Sequence, residues 1–178
     1  MIEKKIFSGQ PNPDHAPKWA NDSYFKYVVK YDNLLFALEE NRHDFINFLK
    51  SIPEDKWNYR YGENKWTLKG VVSHVLDTER IFQYRALRHS RHDETDLPGF
   101  DENAYEQYSN LDNRSVDDLI HEFDIVRLAT NILYDGMGEK NLDFVGKANG
   151  QPFSARSAGW IMVGHVMHHE KIIKERYL

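Results

Sequence analysis

The stretch S-A-G-W-I-M-V-G-H-V-M-H-H-E-K-I-I-K-E-R-Y-L, from Ser157 to Leu178, constrains this chain more than any other. Ala158, Ile161, Met162, His165, His169, Ile172 and Arg176 recur at steps of three and four, which predicts one amphipathic helix. Two histidines therefore occupy the middle of a face that should be apolar. Residues four apart on a helix have Cβ atoms about 5–6 Å apart, close enough for two imidazoles to share a divalent ion at about 2.0–2.1 Å. A hydrogen-bonded pair of core histidines would have the same spacing. A third histidine, His74, falls on the apolar side of another predicted helix and moves the balance towards a site.

That second helix is expected from Thr67, a good N-cap, to about Arg88. Val71, Val72, Val75, Leu76, Ile81, Phe82, Ala86 and Leu87 are its apolar positions, and His74 shares a sector with Val71, Thr78 and Ile81. Two more long helices are read from the same periodicity. One runs from about Tyr31 to Ser51 and stops before Pro53, because the residue preceding proline is pushed out of the α region. The other starts at Ser115, with Asp118 three residues on as in a capping box, and ends before Gly136 and Gly138. Ser154 or Ser157 caps the last helix. Four amphipathic segments without convincing strands predict an all-α four-helix bundle.

The connections are long enough that neighbouring helices need not follow a simple up-down order. His89 to Arg114 carries Leu97, Phe100, Tyr105 and Tyr108, so a folded loop is expected there, with a helical turn near Glu102–Tyr108. Met137–Ala155 reads as a loop or short hairpin. Residues 1–30 contain Pro11, Pro13 and Pro17, then Trp19, Tyr24, Phe25 and Tyr27. They read as an N-terminal extension packed on the bundle of residues 31–178, with a short helix from about Ala20.

Composition narrows the chemistry. With 178 residues the chain suits one domain with its own core. It has no cysteine, which excludes disulfides, thiolate metal ligands and a cysteine nucleophile. The net charge is −5 with interspersed signs, giving no footprint for nucleic acid. No stretch approaches the ~20 apolar residues of a membrane span, and Met1 to Lys5 do not open a secretory leader. The expected compartment is the cytoplasm.

Three converging imidazoles would be costly to desolvate without a cation and would repel one another if protonated. Three neutral nitrogen donors with an open fourth position is the arrangement of a catalytic zinc-type site, and late first-row ions in general suit it. Zinc or nickel heads the expected metals, with manganese or iron also compatible. Such a metal can lower the pKa of bound water to about 7, or hold a small thiol as its thiolate. Asp77 and His168 are the candidate bases, Asp77 also as a carboxylate to receive the second N–H of a ligating histidine. The histidines at 15, 43, 89, 92 and 121 read as surface or loop residues. Glu170, Glu79 and Arg156 read as solvated charges or structural pairs, and Trp66 and Trp160 as core anchors.

K-W-T-L-K-G-V-V-S-H-V-L-D-T-E-R-I-F-Q-Y-R-A-L-R at 65–88, L-P-G-F-D-E-N-A-Y at 97–105 and G-W-I-M-V-G-H-V-M-H-H-E-K-I-I-K-E-R-Y-L at 159–178 together resemble the DinB/YfiT-like superfamily. The resemblance covers roughly Asp32 to the C-terminus. It implies a four-helix bundle with one metal held by three histidines, matching His74, His165 and His169 here. It also implies a metal-dependent hydrolase or a thiol S-transferase using a low-molecular-weight thiol, often a homodimer, and despite the family name it does not imply DNA binding. The alternatives are a non-catalytic bundle that binds a metal or small ligand, and a metal-free structural bundle.

Overall fold

The computed structural model describes residues 9–178, so the expected leaderless start, Met1 to Lys5, and the first part of the N-terminal extension lie outside the described residues. Four long helices make the body: α1 (Leu34–Lys50), α2 (Leu68–Ser90), α3 (Val116–Asp135) and α4 (Ala155–Arg176). Their limits follow the sequence pattern because the caps are written locally. The side chains of Asn33 and Thr67 accept from the backbone N–H of Phe36 and Gly70. Ser115 with Asp118, and Ser154 with Ser157, form reciprocal capping boxes. Each cap satisfies N–H groups that a helix start leaves open. The fold is the expected four-helix bundle.

The order of the helices is not up-down-up-down. α1 packs on α3 and α4, and α2 packs on the same two, so α1 lies diagonal to α2 and α3 diagonal to α4. Asn131 donates to Glu39 and Arg42 pairs with Asp124, which makes α1 and α3 antiparallel. Lys69 reaches the Arg114 carbonyl while Gln83 reaches Thr130, so α2 and α3 are parallel. Trp66 meets Tyr177 and His74 meets His165, so α2 and α4 are antiparallel. Two parallel neighbours need a connection that returns the whole length of the bundle, which accounts for the long segment between α2 and α3.

That segment is folded, as its aromatic content predicts. Leu97 bridges to Ala148, and Asp101 caps a short helix, Glu102–Gln107, that packs on α2. Before α4, β1 (Val145–Ala148) and β2 (Gln151–Ser154) pair antiparallel. Asn149 and Gly150 both have positive φ, 53° and 70°, the two-residue turn that matches strand twist. The described part of the N-terminal extension has a 3-10 turn, Pro13–His15, and then three consecutive helical pieces, Lys18–Ala20, a π turn Asn21–Phe25, and Lys26–Val28. It rests on α4 at Gly164, where a Cβ would lie 2.7 Å from the Tyr24 carbonyl oxygen. No helix of the described residues is long and apolar enough to cross a membrane.

The core falls into two apolar clusters. One gathers Leu34, Leu38, Phe82, Tyr134, Phe153, Trp160 and Ile161, the other Phe45, Leu49, Val72, Leu76, Phe123, Val166 and Ile173. Between them lies a buried polar layer. Arg127 on α3 donates through Nε and Nη2 to both oxygens of Glu79 on α2, at 2.5 and 2.7 Å. Its Nη1 donates to Asn41 Oδ1 at 2.8 Å and to the Leu38 carbonyl at 3.2 Å on α1. Thr130 completes Glu79 with a 2.7 Å bond. Glu79, read from sequence as a solvated or structural charge, is the structural case.

Breaking such a pair strands a charge in the core, which typically costs about 3–5 kcal/mol. Arg127→Met is expected to lose that much in urea unfolding, whereas Arg127→Met with Glu79→Leu should recover most of it. Equal stability of the single variant and the parent would show that the layer does not hold the helices together.

Candidate metal centre

Because α2 and α4 run antiparallel side by side, the middle of one faces the middle of the other. His74 therefore meets His165 and His169, with His165 Nε2 3.0 Å from the Nε2 of each partner. The rings stand edge to face, at interplanar angles of 64°, 71° and 79°. They are the only group of metal-ligating side chains among the described residues close enough to share one ion. Three nitrogens about 2.0–2.1 Å from a tetrahedral centre would be about 3.3 Å apart, so the cluster needs only a slight expansion to fit. The donor set fits as well. At each contact between two imidazole nitrogens only one proton can be shared, and His165 Nε2 faces two such contacts. His169 Nδ1 is buried with no protein partner.

The cluster is held in the neutral form. Burial lowers His165 and His169 well below the ordinary imidazole value, and the neighbouring histidines add to the effect. His74 is lowered to about 4 by burial, with the Glu102 carboxylate pulling in the opposite direction. Neutral imidazoles are what a cation requires.

A cleft of about 480 Å³ opens over the cluster. Its floor is a stripe of α2, His74, Thr78, Phe82 and Arg85, and its roof comes from Gly99, Phe100, Ala148 and Asn149. Trp19 and Tyr24 of the N-terminal extension close a third side. Tyr24 sits edge-on to both His165 and His168, 5.4 Å between ring centroids in each case.

His168 lines this cleft and its Nδ1 is buried without a partner. Burial lowers its pKa, with Lys26 and Lys171 adding to the shift. Asp77 does not line the cleft. Burial raises its carboxyl, and the charges around it are Arg80, Glu122 and Arg114. Two sequence readings are corrected. His89 is fully buried at the end of α2, against Phe153, rather than on the surface. Trp66 lines the cleft with its ring 5.0 Å from that of His74, so it is more than a core anchor. Trp160 is wholly buried, as expected of a core residue.

Sequence reasoning overlooked Glu102 and Arg85. Arg85 was within reach of it, since steps of four, four and three carry the His74 stripe through Thr78 and Phe82 to Arg85. Glu102 had no such signal, because only the fold brings the long connection back to α2.

The sequence model of the DinB superfamily matches residues 37–173. Among solved structures, YfiT from Bacillus subtilis, described as a probable metal-dependent hydrolase with an unusual four-helix bundle topology, superposes with a TM-score of 0.70. The match covers 94% of this chain and 91% of that one at 14% sequence identity, a likeness of fold. Among curated proteins none matches.

The depressed histidine pKa values make a prediction for chelator-treated protein. Below about pH 6.5 the unfolded chain takes up protons that the folded cluster refuses, so stability should be level above that pH. It should then fall as the pH drops towards about 4, the value for His74. His165→Asn is expected to flatten the dependence of melting temperature between pH 6.5 and 5. An unchanged slope in that variant would contradict the burial account.

Proposed function

The chain belongs to the DinB superfamily, and from that premise and its histidine cluster we propose that it is a metal-dependent hydrolase acting on a small molecule. The observation that carries this reading is the convergence of three Nε2 atoms at the floor of a cleft, with no fourth protein donor beside them among the described residues. A sphere closed by protein would suit a structural ion, whereas three ligands facing a cleft suit catalysis. His74, His165 and His169 are the proposed ligands. A divalent ion held by them supplies Lewis acidity and an open position at which a water or a thiol is acidified.

The chain's own groups supply the rest. His168, neutral and lining the cleft, is the proposed proton acceptor, and Asp77 remains a candidate for a supporting role behind α2. Glu102 brings a carboxylate to the same opening. Trp19, Trp66 and Phe100 provide apolar walls that exclude water from a bound substrate. Thiol transfer is the competing chemistry. Since the chain has no cysteine, the thiol would be a small cosubstrate.

Metal analysis of protein purified without chelator should find close to one divalent ion per chain. His165→Ala should lose it while keeping the helical circular dichroism, and added metal should raise the melting temperature of the parent as its excess grows. Metal content unaffected by His165→Ala would sink the ligand assignment. Metal-loaded protein assayed with small esters and amides between pH 5 and 9 should turn over without thiol, and added thiol should inhibit. Turnover that depends on a thiol and an electrophile would replace hydrolysis by transfer.

A further inference from the structure

Arg85 is an arginine buried against the cleft with no acid opposite it. Its side chain is 5% exposed, yet among the described residues no carboxylate pairs with it. Nη2 donates to the Pro98 carbonyl at 2.9 Å, and the guanidinium lies over the rings of Phe82 and Phe153, at 5.3 and 5.5 Å. A guanidinium has five donor hydrogens, and that single bond leaves the fork largely open. Arg127, which is wholly buried, shows what this fold does when the charge is purely structural. It is matched by Glu79, Asn41 and a main-chain carbonyl. Burying a cation without its counter-charge is expensive, and burial depresses the pKa of Arg85 accordingly.

The surroundings point the same way. Arg85 is eleven residues beyond His74 on α2, about 16 Å along the axis, and between them Thr78 Oγ1 is buried on the cleft wall without a hydrogen-bond partner. Cluster, unpaired hydroxyl and unpaired guanidinium thus lie in one row.

We propose that Arg85 is the specificity anchor of the cleft, binding an oxyanion, most simply a carboxylate, of a small substrate whose reacting end lies at the histidine cluster. Arginine recognises carboxylates through two parallel hydrogen bonds, which lysine cannot reproduce. The aromatic faces of Phe82 and Phe153 keep the fork oriented. The inference that the other end is the reacting one rests on the metal-dependent reading above, whereas the anion site itself does not.

The test uses the whole chain, metal-free and zinc-loaded, titrated with hexanoate, hexanamide and inorganic phosphate. It follows the Arg85 Nε–H signal by NMR and the affinity by calorimetry. Hexanoate should bind both forms and shift that signal, and hexanamide should bind at least about tenfold more weakly. Arg85→Gln should weaken hexanoate binding by a similar factor with zinc content unchanged. Arg85→Lys, which keeps the charge should Arg85→Gln fail to fold, should still lose about tenfold. Phosphate displacing hexanoate at Arg85 would keep the anion site and identify phosphate esters as its class. Hexanamide binding as well as hexanoate, or equal affinity in Arg85→Lys and the parent, would overturn the proposal. Loss of zinc binding with retained hexanoate binding would refute the metal reading alone.

Discussion

The bundle depends on a layer of charge that it buries. Arg127 ties α3 to Glu79 on α2 and to Asn41 and Leu38 on α1, so three of the four helices meet at one guanidinium. The fourth contributes His165, whose already low pKa is pushed further down by the Arg127 charge. An apolar bundle could slide by a turn and still bury its leucines. A bidentate arginine–carboxylate pair cannot, because its geometry admits one alignment. The pair therefore fixes the stagger of α2 against α3. That stagger, together with the cap at Ser154, determines which turn of α4 faces His74.

The register matters for the cluster because its tolerance is small. A slip of one turn would move an α4 histidine by about 5.4 Å, more than the 3.0 Å that separates neighbouring nitrogens. Gly164 contributes at the same place. Without a side chain there, the π turn carrying Tyr24 settles directly on α4 and sets the Tyr24 ring edge-on against His165. The histidines are thus shielded by an element that contributes no ligand.

Much of this was legible in the sequence, because helices and their caps are local matters. The four long helices, the boxes at Ser115 and Ser154, and the inward sector of His74, His165 and His169 follow from periodicity and from one or two side chains each. What could not be read depends on contacts between distant segments. Glu102 looks like an ordinary first-turn acid until the connection after α2 folds back over the cleft. His89 looks like a loop residue at a helix end until Gly146 of the hairpin leaves room for its ring to be covered. Trp66 sits just before α2, where a core anchor and a cleft wall look the same in sequence. Asp77, three residues from His74, stands outside the cleft lining beside the charges of Arg80, Glu122 and Arg114, a setting that only the packing of distant segments discloses.

The cleft gains its polarity from the same long-range folding. α2 supplies a row of groups at fixed rise, while the connection and the hairpin supply a roof pinned by the Leu97–Ala148 bridge. Glu102 stands at the histidine end and Arg85 at the other. A substrate with one anionic end would be turned away by the carboxylate at the first and accepted by the guanidinium at the second, so the two charges together select one of its two possible orientations. Either charge alone would discriminate less, since like-charge repulsion at one end and pairing at the other add in favour of the same pose. The helical stripe sets the distance between the two ends and supplies the positive one, the returning loop supplies the negative one, and the buried Arg127 layer keeps both in register with the histidines.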